Sequence, residues 1–77
     1  MITISKIGNN PKEVGVCHTV EEANTLLDSQ PEIKNSLYQR IMEAEDGLMI
    51  DYGSHNTFFL IKGVNYKEFI QKFKGNG

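Results

Sequence analysis

Residues 48–62 read Leu-Met-Ile-Asp-Tyr-Gly-Ser-His-Asn-Thr-Phe-Phe-Leu-Ile-Lys, and this stretch decides the fold. The runs 48–52 and 57–62 are apolar and rich in β-formers, the pattern of strands. Gly53-Ser54-His55-Asn56 between them is a four-residue loop that suits a hairpin. Alternation puts Phe58 and Leu60 on one face, Phe59 and Ile61 on the other. Leu48, Ile50 and Tyr52 likewise oppose Met49 and Asp51. Both faces of this hairpin are therefore apolar, which a sheet covered on one side does not need. Two arrangements satisfy the surplus. Helices cover both faces, or one face is held for a partner or a second copy.

Working outward, Ile2 and Ile4 alternate with polar residues as in a half-buried strand. Gly8-Asn9-Asn10-Pro11 is a turn signal, and Val14-Gly15-Val16-Cys17 returns as a second strand. An antiparallel hairpin is the economical pairing, because a parallel return needs a longer crossover. Thr19-Val20-Glu21-Glu22 has capping-box spacing, and Val20, Ala23, Leu26 and Leu27 form one side of the helix that follows. Ser29-Gln30-Pro31-Glu32 ends it and, with capping-box spacing again, starts a second helix expected over 31–45. Its stripe is Ile33, Leu37, Ile41 and Ala44, widened by Tyr38 and Met42, and Gly47 closes it. Asn65 caps a third helix with Tyr66, Phe69, Ile70 and Phe73 on its apolar side; Gly75-Asn76-Gly77 is a frayed tail.

The expected fold is a single α+β domain over 1–77, in the order β-β-α-α-β-β-α. A four-stranded, mostly antiparallel sheet with helices packed on it is the simplest assembly. With 77 residues the core is thin, since so short a chain buries about 60% of its unfolded surface. A net charge of −2 excludes a polyelectrolyte and a strongly basic nucleic-acid binder. One cysteine excludes an internal disulfide framework and a Cys-rich zinc site. No leader pattern and no run near the ~20 apolar residues of a membrane span is visible, so a cytoplasmic protein is expected. Lysine, isoleucine and asparagine are abundant, and their AT-rich codons suggest a bacterial or phage genome of that composition.

Chemistry-bearing residues are few. In Cys17-His18, strand neighbours point to opposite faces, so the imidazole is poorly placed to activate the thiol. Asp51, Ser54 and His55 contain a triad's residue types, but on a hairpin tip nothing excludes water. The two histidines are far apart in sequence, and Glu43, Glu45 and Asp46 lack the glycine-turned loop of an EF-hand. No Gly-rich phosphate loop occurs. Catalysis, a metal and a cofactor are therefore not expected, and an enzyme ranks third among the readings.

The leading reading is a small protein-binding module, a phage-encoded or accessory regulator or inhibitor of a larger protein. Aromatic anchors with a charged rim are what interfaces use. Tyr38, Met42, Tyr52 and Phe59 are the expected anchors. Glu43, Glu45 and Asp46 stand where a helix end prefers cations, which points to a partner with a basic patch. Self-association through strand edges or open faces is a variant of the same reading. The alternative is nucleic-acid binding through Lys67, Lys72 and Lys74, although a single arginine leaves little to read bases.

Overall fold

The computed structural model describes residues 1–36 and 38–74, without the side chains of 72–74. Leu37, the side chains of Lys72, Phe73 and Lys74, and the tail 75–77 lie outside the described residues. Strands β1 (Ile2–Gly8) and β2 (Lys12–Cys17) form the first hairpin. Helices α1 (Val20–Asp28) and α2 (Pro31–Lys34) follow, then β3 (Arg40–Ala44), β4 (Gly47–Asp51), β5 (Thr57–Lys62) and α3 (Tyr66–Lys74). The strands make one sheet in the order β2-β1-β5-β4-β3, with every pairing antiparallel.

The sheet has five strands where the sequence suggests four, and the second helix accounts for the difference. It stops after Lys34, and 40–44 forms β3 instead of continuing to residue 45. Asn35 is its C-cap, and Ser36 ends it locally because its hydroxyl competes for backbone groups. Ser36 Oγ accepts the Tyr38 amide at 3.1 Å and donates to the Tyr52 carbonyl at 2.8 Å, which turns the chain toward the sheet. Ile41 and Met42 then alternate inward and outward against β4, an arrangement the helical spacing of Ile33, Ile41 and Ala44 conceals. Gly47 is not a helix C-cap. It pairs with Ala44 across the two-residue turn Glu45-Asp46.

The remaining boundaries follow their local chemistry. Thr19 Oγ1 accepts the Glu22 amide at 3.1 Å, while Glu22 Oε1 accepts the His18 amide at 2.8 Å, one residue before the Thr19 amide expected from spacing. Asn65 Oδ1 caps α3 at the Glu68 amide, 3.0 Å away. Ser29 does not cap α2; its hydroxyl donates to the Leu26 carbonyl at 2.7 Å and finishes α1. In β2 the register slips between Gly15 and Glu13, so Val14 is an extra residue in a bulge. At Gly15 the strand lies close to α1: a Cβ there would come 2.7 Å from the end of the Leu26 side chain, which would have to move aside.

All three helices pack on one face of the sheet. Val20, Ala23 and Leu27 of α1, Ile33 of α2 and Phe69 of α3 meet Ile2, Ile4, Cys17, Leu48, Ile50, Phe59 and Ile61 in one buried cluster. The radius of gyration is 11.2 Å, close to the roughly 11.5 Å of a compact domain this size. A single inner layer thus does the work of the core.

Candidate functional site

The register of the sheet assigns every strand residue to a face. Inward go Phe59 and Ile61, with Leu48 and Ile50 beside them, each fully buried. Outward go Met42, Met49 and Leu60 in one row across β3, β4 and β5, with Ile7 beside Phe58 in the next. These five side chains are half-buried, and none joins the core cluster. The three-strand row spans about 10 Å between its outer strands. Charged residues edge it: Arg40 pairs with Asp51 at one end, and Lys62 pairs with Thr3 at the other.

The anchors expected from sequence divide between the two sides. Met42 lies in the outward row. Phe59 does not: its full burial against Ile4, Ile50 and the helices removes it from any partner's reach. Tyr52 also turns inward. Its ring packs on Phe59 at 5.4 Å between centroids, and its hydroxyl shares a hydrogen bond with Thr57 Oγ1. Tyr38 stands apart, 51% exposed, in the segment between α2 and β3. The acidic residues do not sit on a helix end at all. Glu43 is exposed on β3, and Glu45 and Asp46 form the exposed turn that joins β3 to β4. No macrodipole opposes them, so the rule they were expected to break does not apply. Lys67 is exposed on α3, while the side chains of Lys72 and Lys74 lie outside the described residues.

Sequence reasoning overlooked Met49, Phe58, Leu60 and Ile7 as surface. A signal was available. Met49 shares its face with Asp51, and Leu60 shares its face with Lys62, whereas the opposite rows carry no charge. The row containing a charge is the one that meets water.

The other chemical candidates are engaged in structure. Cys17 ends β2 and is buried; burial, then the negative charge of Glu22, pushes its thiol pKa up, which favours the protonated form. Asp51 Oδ1 accepts the Gly53 amide at 2.9 Å, and Ser54 Oγ takes a hydrogen bond from Thr57 Oγ1 at 2.8 Å. Both are occupied with shaping the β4–β5 loop. A cleft of about 310 Å³ between the sheet and α2 holds Lys6 and Glu32, paired to each other at 2.7 Å. Among the described residues no three His, Cys, Asp or Glu side chains are grouped to hold a metal ion. None of the helices among those residues is long and apolar enough to cross a membrane.

Comparison of the chain with protein-family models, with curated proteins and with solved structures finds no match. The reading of function therefore rests on the surfaces just described.

Proposed function

We propose that this chain is a small protein-binding module, a regulator or inhibitor that works by docking on a larger protein. The observation that carries the reading is the outward row Met42, Met49 and Leu60 with Phe58 and Ile7, apolar and uncovered by any helix among the described residues. A sheet that needs only one covered face spends no apolar side chains on the other without cause. Methionines suit such a surface, because their unbranched, polarisable chains adapt to a partner's shape. Arg40, Asp51 and Lys62 supply a polar rim, and Glu45 and Asp46 supply negative charge that steers a basic partner.

The test compares immobilised wild type with Leu60→Lys, which puts a charge in the middle of the row. A host protein retained by wild type at about one-to-one stoichiometry and lost from Leu60→Lys supports docking on this face. Equal retention by both, or no protein retained by wild type, overturns it. Circular dichroism of Leu60→Lys confirms that the loss is not one of folding.

A further inference from the structure

The two edges of the sheet are built differently. The β2 edge follows Pro11, carries the Val14 bulge, and has α1 lying close on it at Gly15. Proline, bulges and cover are the devices that keep an edge from pairing with another chain. The β3 edge has neither proline nor bulge, and α3 approaches it from the helix-covered face. Its pairs run without interruption from Arg40 with Asp51 to Ala44 with Gly47, and among the described residues no strand lies beyond it. Arg40-Ile41-Met42-Glu43-Ala44 is thus a regularly paired edge strand whose outward backbone groups have no further hydrogen-bond partner among the described residues.

Charge along this edge is polarised. Arg40 stands at its start, while Glu43, Glu45 and Asp46 stand at and just beyond its end. A strand with opposite charges at its two ends is complementary to itself when a copy is laid antiparallel. We propose that β3 pairs with β3 of a second copy of this chain across a twofold axis, which joins two five-stranded sheets into one of ten. Centred on Met42, the pairing sets Arg40 opposite Ala44 of the copy, within one residue of its Glu45. Strand neighbours are about 4.8 Å apart and residues about 3.3 Å along, so a guanidinium reaches the acidic turn. The symmetry repeats that contact at the other end. In this register Glu43 faces Ile41 of the copy, so no like charges meet. Met42 meets Met42, and the outward row runs unbroken from Leu60 of one copy to Leu60 of the other. The acidic cluster thereby has a partner in the chain's own arginine. This inference goes beyond the docking reading and does not depend on it: Arg40, Met42, Glu45 and Asp46 belong to both surfaces, but Met49, Phe58 and Leu60 belong to the face alone.

A five-residue edge is a small interface, so the dimer dissociates on dilution. In sedimentation velocity the mass is expected to climb from 8.7 kDa toward twice that value between about 5 and about 500 μM. Charge reversal then decides the geometry. Arg40→Glu sets acid against acid at both ends, and a chain carrying Glu45→Lys with Asp46→Lys sets base against base. Each variant alone is expected to remain at 8.7 kDa, and an equimolar mixture to recover dimer, because both ends of the mixed pair are again opposite in sign. Wild type that stays at 8.7 kDa at the highest concentration overturns the proposal. So does an Arg40→Glu chain that dimerises like wild type, or a mixture that stays monomeric. Should Arg40→Glu fail to fold, the turn variant alone still reads the outcome, since its exposed side chains carry no part of the core. Leu60→Lys is expected to keep the edge dimer, so failure of the docking reading is distinguishable from failure of this one.

Discussion

Asn24 places an amide in the core. It is 6% exposed on the face of α1 that also carries Val20, Ala23 and Leu27, and its Oδ1 has no hydrogen-bond partner among the described residues. A buried acceptor left unmade costs about 1–3 kcal/mol. Asn is also a weaker helix former than Ala by a few tenths of a kcal/mol. Against these gains stands the small void an alanine leaves. Asn24→Ala is accordingly expected to raise stability by about 0.5–1 kcal/mol, read as a higher urea midpoint at unchanged slope. The Lys6–Glu32 pair is a second residue-scale device. The two side chains are 26% and 29% exposed, and Lys6 Nζ donates to Glu32 Oε2 at 2.7 Å. That hydrogen bond, then one from the backbone, holds the Glu32 carboxyl below its usual range, while the same bond raises the Lys6 ammonium. A carboxyl lowered on folding stabilises fully above its unfolded pKa and loses that contribution as pH falls through the folded value. The raised ammonium contributes fully below its unfolded pKa and loses it as pH rises through the folded value. Glu32→Gln should therefore show a shallower loss of stability than wild type between about pH 5 and pH 2, by denaturant midpoints. Parallel curves would mean that the pair does nothing for the fold.

At the scale of elements, the hairpins and caps were legible because their signals are local. Thr19 with Glu22, Asn65 before α3, and Gly53-Ser54-His55-Asn56 each declare a boundary through the hydrogen bonds those side chains make with nearby backbone. β3 was not legible, and the reason is tertiary. Ile33, Ile41 and Ala44 fall at helical spacing, but Leu48 and Ile50 lie on a strand that needs partners on both sides. Pairing with 40–44 meets that need, and the helix gives way after Lys34. Gly47 marks where the choice is enforced. A Cβ there would lie 1.9 Å from the Ile61 carbonyl oxygen, and behind it Gly63 donates to the Asp46 carbonyl at 2.9 Å. The contact is with backbone, which cannot swing aside as a side chain does. Gly47→Ala is expected to cost about 3 kcal/mol or more by splaying β4 from β5, with the loss visible in thermal unfolding. A loss below about 1 kcal/mol would show that the two strands are not so closely held.

At the scale of the whole molecule, both faces of one hairpin are apolar, yet only one is a core. The sequence shows the two rows and leaves their direction to the charges beside them, Asp51 after Met49 and Lys62 after Leu60. Three helices suffice to cover one side of a five-stranded sheet, and Phe59 and Leu60, adjacent in the chain, end in opposite environments. The difference is measurable in energy. Phe59 is fully buried among Ile4, Ile50, Ile61 and the helices, so Phe59→Ala loses its transfer energy and opens a cavity, about 3–5 kcal/mol together. A chain of this size holds about 3–5 kcal/mol of stability from its core, so that variant is expected to be largely unfolded at room temperature. Leu60→Lys changes a half-buried position with no layer above it, and its lysine can extend to water. Its cost is expected to stay within about 1 kcal/mol at dilutions where the protein is monomeric. Comparable losses for the two variants would mean that the outward row contributes to stability as a core does. A large gap leaves Met42, Met49, Phe58 and Leu60 as apolar surface that folding does not require, and so available for binding.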